Sequence, residues 1–287
     1  MHHHHLVAHR LAAAALLAAS LLPAARAQQG LDLSAGPVDY TTWTLFGSAT
    51  AQNTTPGNGF TYSLLSLTNP GTGDQAGAAF APQALALDFN QPFSFHFNWY
   101  IPLLAEPGLR GDGMAFVLTT QPGLGVGGSG LGYDGSHPAS VAWAIDTFHF
   151  DGEPVSPSLQ ILAGGSVAPL AATETGLGDR VRDPDFQWFG QFDYLPSGLD
   201  DNRGTLTASM SHVNLGSFSA SAGVDFDALG MASAGAVFYG FTASNGLATD
   251  GHATSWGAPV PVPEPQTWLL MAAGLAMVGW LARRRAA

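Results

Sequence analysis

Two aspartates stand where carboxylates are costly. Arg110-Gly111-Asp112-Gly113 opens an apolar run from Met114 to Leu118. Val141-Ala142-Trp143-Ala144-Ile145 closes on Asp146. A glycine-rich loop, Gly123 to Gly132, lies between the two runs. Removing an ionised carboxylate from water is unfavourable by several kcal/mol unless something pairs with it. Asp112 and Asp146 are therefore expected to face hydrogen-bond donors, a cation or a polar ligand. Glycines nearby would let backbone N–H groups approach such a ligand closely. Asp112 beside Gly113 also suits a plain turn, so the two readings stand side by side.

The elements that must position these residues read as strands. Phe93, Phe95, Phe97, Trp99 and Ile101 alternate with Ser94, His96, Asn98 and Tyr100. That period of two puts an aromatic face against a core and a polar face outward. His96 falls on the polar face, as a surface or hydrogen-bonded histidine. Met114–Leu118 and Val141–Ile145 read as strands buried on both sides, and Thr205–Val213 and Ala236–Ala243 are further strands. No internal repeat or long helical period interrupts them. With 36 Gly and 19 Pro punctuating 287 residues, the pattern is that of one all-β domain, a sandwich or jelly roll. Asp179–Asp185 and Asp200–Gly204 read as solvated connections.

Composition narrows the chemistry. Cysteine is absent, which removes disulfides, thiolate metal sites and cysteine nucleophiles. All nine basic residues are arginines, and five of them sit near the chain ends: Arg10, Arg26, Arg283, Arg284 and Arg285. The remaining four face most of the chain's 21 acidic groups, so nucleic acid is excluded as a partner. A solvated exported surface, or cation binding at selected points, fits the charge.

Both ends read as addresses. Residues 1–27 have the polar start, apolar run (Leu11–Leu22) and Ala25-Arg26-Ala27 ending of a secretory signal helix. The His2–His5 cluster would leave with it. At the other end, Pro263-Glu264-Pro265 precedes an apolar stretch, Thr267–Ala282, closed by Arg283-Arg284-Arg285. The stretch is short for a transmembrane helix, and the arginines would hold its end on the cytoplasmic side of the inner membrane. This order resembles the PEP-CTERM sorting tail of Gram-negative bacteria. The resemblance implies an exosortase-type processing enzyme as a partner and export to the periplasm, cell surface or exopolysaccharide matrix. A plain anchor is the alternative.

The body resembles the L-type (legume-like) lectins through eight short motifs in order. They are Trp43–Ala49; Leu64–Thr68 with Gln75–Phe80; Phe93–Ile101; Gly111–Leu118; Val141–Phe148; Phe192-Asp193-Tyr194; Gly240–Gly246; and His252–Trp256. The resemblance implies a concanavalin A-like jelly-roll β-sandwich over residues 28–258, between the signal segment 1–27 and the tail 259–287. It also implies carbohydrate binding. Asp112 would accept sugar hydroxyls, Gly127 or Gly128 would supply an amide, and Asn245, Gly246 and Leu247 would border the pocket.

The same resemblance raises calcium, with Asp146, the Phe148 carbonyl, Asp151 and Glu153 as ligands. Oxygen donors of this kind suit calcium. Phe150 stands at the position of the family's metal-binding asparagine, which leaves both calcium and sugar binding in question. Ala144 stands at a glutamate position, and no histidine occupies the expected place near Leu159, so no transition metal is expected. An enzyme is disfavoured, because the strand-borne acids of related hydrolases are reduced to Asp146, and Gly128-Ser129-Gly130 lacks the spacing of a nucleophile elbow. The alternative to a lectin is a structural surface or matrix protein that kept the fold and lost the sugar.

Overall fold

The computed structural model describes residues 29–34, 38–54, 62–102, 110–182 and 187–256. The expected signal helix, the sorting tail and part of the Asp179–Asp185 loop lie outside these residues.

Among the described residues the regular structure is strands joined by turns and a few 3-10 turns. In chain order the strands are β1 (Gln29–Asp32), β2 (Thr44–Gly47), β3 (Thr50–Thr54), β4 (Tyr62–Thr68), β5 (Ala76–Phe80), β6 (Phe93–Trp99), β7 (Gly113–Thr119) and β8 (Ser140–Asp146). They continue with β9 (Ser158–Ala163), β10 (Ser166–Glu174), β11 (Trp188–Pro196), β12 (Arg203–His212), β13 (Gly216–Asp225), β14 (Phe238–Ser244) and β15 (His252–Trp256). Every strand expected from the sequence is present, with ends shifted by one or two residues.

A seven-stranded antiparallel sheet has the order β10-β9-β8-β7-β14-β5-β2. A five-stranded sheet has the order β1-β6-β11-β12-β13, with β1 parallel to β6. A third sheet, β15-β4-β3, joins the end of β6 through a bridge between Tyr100 and Ala253.

The period-two face of β6 explains why the sheets stack. Phe93, Phe95, Phe97 and Trp99 are all buried between them. Phe97 stacks on Phe116 of β7 at 4.6 Å and meets Trp143 of β8 edge-on at 5.2 Å. Trp99 stacks on Trp188 of β11 at 5.5 Å. Aromatic pairs in these arrangements add about 0.5–1.5 kcal/mol each beyond the area they bury. Gly190, which pairs with Phe97 in the register, is required there: a Cβ would lie 2.3 Å from the Phe97 ring.

β7 and β8 are buried on both faces, as their unbroken apolar runs suggest. One face feeds the main core. The other carries Ala115, Val117, Ala142 and Ala144, covered by Leu131 and Tyr133 of the loop after β7. The alanines leave room for that loop to lie flat on the sheet. Tyr133 fixes it, bonding Ser140 Oγ at 2.7 Å and accepting from Gly165 N at 3.1 Å. The glycine-rich segment is thus one wall of a second, smaller core.

Topology brings the two aspartates together. β14 lies beside β7, and the register sets Ser244 opposite Gly113 and Gly113 opposite Asp146. One end of the sheet therefore gathers the Asp112 turn, the loop after Asp146 and the loop after Ser244. His96 lies on the outer face of its strand as expected, bonded to Ser94 at 2.8 Å and facing Asp32 at 3.8 Å.

Truncating Phe97 to alanine is expected to destabilise the fold by about 3–5 kcal/mol, because a ring packed on all sides leaves a cavity. Urea unfolding followed by tryptophan fluorescence measures the loss. A change below about 1 kcal/mol would contradict the central place given to this ring.

Candidate functional site

Asp112 sits at the start of β7. Its backbone N–H donates to Ser244 O at 3.0 Å, and its carbonyl accepts from Thr147 N at 2.7 Å. The residue is thereby stitched to both neighbouring strands and is only 5% exposed. Its Oδ2 is buried and has no hydrogen-bond partner. Burial pushes this carboxyl up to about 6, and the nearby Glu153 and Asp250 carboxylates push the same way.

Two glycines stand over that oxygen. A Cβ on Gly246 would lie 2.8 Å from Asp112 Oδ2, and one on Gly128 would lie 3.7 Å away. Gly246 has φ +45° and Gly128 has φ +60°, which side chains adopt reluctantly. Ser244 Oγ donates to Gly128 O and ties the glycine-rich turn to the end of β14. Gly127, next in the turn, is exposed. Leu247, next to Gly246 in the chain, is 80% exposed, and Val126, next to Gly127, is 59% exposed. The structure therefore brings Asp112, Gly127, Gly128, Gly246 and Leu247 to one place.

Asn245 corrects one expectation. Its side chain is wholly buried and turned away from Asp112. Nδ2 donates to Thr72 O at 2.6 Å and Asp250 O at 3.0 Å, while Oδ1 accepts from Gln75 N at 2.9 Å. Asn245 borders the site through its backbone and uses its amide to hold the loop.

The arrangement is held from below by an ion pair the sequence did not reveal. Arg182 Nε and Nη2 reach Asp250 Oδ2 at 2.8 and 2.6 Å, with both side chains almost fully buried. Gly111 N donates to the same oxygen at 2.9 Å, one residue from Asp112. Arg182 had been read as part of a solvated connection, and the structure corrects this. A 3-10 turn at Gly178–Val181 carries it inward. No periodicity marks a buried arginine in a loop. The one available hint was that the body has so few basic residues.

Comparison with known proteins agrees with this architecture. The basic winged bean lectin in complex with Tn-antigen superposes with a TM-score of 0.56 at 20% identity, covering 75% of this chain and 92% of that one. Lectin I-B4 from Griffonia simplicifolia, in a metal-free form, gives 0.56 at 20%, covering 75% and 91%. The exoplasmic/lumenal domain of VIP36, in a Ca2+/Man-bound form, gives 0.51 at 17%, covering 77% and 85%. The body has the L-type lectin fold. Residues 261–285 match the family described as the PEP-CTERM protein-sorting motif, which marks the chain for export. No curated protein shows significant sequence similarity to it.

Within this lectin fold, the residues expected to hold calcium do not fit it. Asp146 Oδ1 accepts from Phe148 N at 3.0 Å and Ser156 Oγ at 3.1 Å, and Oδ2 accepts from Gln160 Nε2 at 3.1 Å. Glu153 Oε2 accepts from Phe150 N at 3.0 Å, and Asp151 lies exposed on the turn. Among the described residues no three His, Asp or Glu side chains come together as metal ligands. Burial pushes the Asp146 carboxyl up to about 7, against the opposing hydrogen bonds from Phe148, Ser156 and Gln160. Ser156 and Gln160 were missed because a serine and a glutamine carry no motif of their own.

Replacing Asp250 by Asn should cost about 3–5 kcal/mol, since it leaves the buried guanidinium with only the exposed Asp179, at 3.4 Å, as a charged partner. Chemical denaturation of the variant gives the number. A loss below about 1 kcal/mol would show that the pair does not hold the site.

Proposed function

We propose that this protein binds carbohydrate without catalysis, at Asp112, once exported. One observation carries the reading. Asp112 keeps a buried carboxylate oxygen with no protein donor, between two glycines whose chain neighbours Leu247 and Val126 are exposed. A carboxylate accepts hydroxyl hydrogen bonds strongly, and exposed apolar side chains suit the C–H face of a sugar ring. Gly127 and Gly128 would offer backbone amides, and Gly246 and Leu247 would close the far side.

Catalysis is not part of the proposal. Glycoside hydrolysis needs two carboxyl groups on opposite sides of the bond. Asp146 is occupied by three protein donors, Asp250 by Arg182 and Gly111 N, and Glu153 takes up Phe150 N. A serine, a histidine and an aspartate also meet on β6 and β1, at Ser94, His96 and Asp32. Ser94 Oγ donates its hydrogen to Asp193 Oδ1, so the serine is not an activated nucleophile.

The organisation that supports this role is a signal segment over 1–27, the lectin-fold body over 28–258 and the sorting tail over 259–287. The partner would be a glycan on the cell surface or in the exopolysaccharide matrix of a Gram-negative bacterium. An exosortase-type enzyme would process the tail at the inner membrane. Calcium is left out, because the residues at Asp146 do not fit it. The second reading, a structural matrix protein, is favoured by the near-complete burial of Asp112 and the spent Asn245 amide.

A glycan array with the full chain separates the two readings. Binding that Asp112→Asn and Gly246→Val both abolish, with the fold intact, supports the lectin. A folded wild-type sample that binds nothing supports the matrix protein. The pH dependence adds a second test. The Asp112 carboxyl titrates near 6 when folded, against an ordinary 3.8. Its contribution to stability is greatest below the ordinary value and is lost as pH rises through about 6. Binding runs the other way, because the ionised form is the double acceptor. Affinity should fall about tenfold per unit below pH 6, and titration calorimetry across that range checks it. An affinity unchanged down to pH 4.5 would remove Asp112 from the contact.

A further inference from the structure

We propose that the loop beside the Asp112 site is pinned by the protein's own hydrogen-bond donors and requires no divalent cation. The inference goes beyond sugar binding and stands whether or not a glycan is found.

The loop joins Asp146 at the end of β8 to Ser158 at the start of β9. Phe148, within it, presses on the Asp112 turn: a Cβ on Gly111 would lie 2.6 Å from the Phe148 Cβ. Anything that fixes this loop also fixes the site. A cation would do so by drawing carboxylate and carbonyl oxygens toward one point. Calcium takes six to eight such oxygens.

Asp146 is surrounded by hydrogens instead. Phe148 N and Ser156 Oγ serve Oδ1, from the two ends of the loop. Gln160 Nε2 serves Oδ2 from the adjacent strand and is itself oriented by Ser158 Oγ at 2.9 Å. Gln160 is 2% exposed, so its amide cannot swing into solvent. An ionised carboxylate only accepts, which dictates that the glutamine present its N–H side. That N–H already supplies part of the electrostatic stabilisation that a cation would otherwise bring to this carboxylate.

The remaining acids near the loop are turned to the same task. Glu153 holds Phe150 N at 3.0 Å, and Glu174 of β10 holds Val155 N at 3.1 Å. Phe148 and Phe150 meet at 4.9 Å and cover the loop with apolar surface. The loop is thus held at Phe148, Ser156 and Val155 by contacts with Asp146 and Glu174 and with the Asp112 turn.

The test uses the full chain and reads melting temperature and bound metal. Calcium binding saturated about a hundredfold above its dissociation constant would raise the melting temperature by roughly 5–10 °C in a domain of this size. The expected result is a melting temperature equal in calcium and in EDTA, and no calcium retained after dialysis. The double variant Ser156→Asp, Gln160→Glu replaces two donors with carboxylates. It should melt below wild type in EDTA and recover in calcium, which a merely misfolded variant would not do. A wild-type chain that melts several degrees higher in calcium, with one equivalent retained, would overturn the inference. So would a double variant as stable as wild type in EDTA. Neither outcome depends on glycan binding, so a silent array leaves the conclusion intact.

Discussion

Three buried carboxylates crowd one end of the seven-stranded sheet, and the chain has no lysine with which to neutralise them. Each is answered differently. Asp250 takes a buried arginine and a backbone amide. Asp146 takes three neutral donors. Asp112 keeps one oxygen without a donor. Solvation of these groups ranks them: the paired one is structural, the hydrogen-bonded one shapes a loop, and the unanswered one is where the proposed ligand would bind. Like charges close together also raise one another's proton affinity: Asp250 and Glu153 act on Asp112, and Glu153 acts on Asp146.

The ion pair matters because of where it acts. Arg182 arrives from the connection before β11, while Gly111 belongs to the approach to β7. Asp250 binds both, and its carbonyl also receives Asn245 and Thr68. Segments distant in sequence meet on one residue. His252, wholly buried beside them, is held far below its ordinary value, to about 3, by burial and the Arg182 charge. Arg182 and Arg110 both reach Asp179, so the charged groups here are the arginines and His252 stays neutral.

Much of this was legible in the sequence. The alternation on β6 is strong because its aromatic residues all face one core, and the unbroken runs of β7 and β8 are explained by cores on both sides. Asp112 and Asp146 were visible because a carboxylate in such a run has to be accounted for. The glycines at 128 and 246 were pointed to by the lectin resemblance, and the structure sets both against Asp112 Oδ2. What escaped reading depends on tertiary contacts without a local signature. Arg182 looks like any loop arginine until Asp250 folds against it. Asn245 looks like a ligand-binding amide until Thr72 and Gln75 claim it. Gln160 and Ser156 look like filler until they converge on Asp146.

The glycine-rich loop has a further consequence. Leu131 and Tyr133 lie in the second core, so the loop cannot lift from the sheet without exposing Ala115, Val117, Ala142 and Ala144 to water. Its ordering entropy is therefore settled when the chain folds, not when a partner arrives. A molecule approaching Asp112 meets a surface already shaped. Under the proposed function, recognition there would resemble the insertion of a part into a rigid socket, with dissociation governed by the quality of the fit and little by the breathing of the wall.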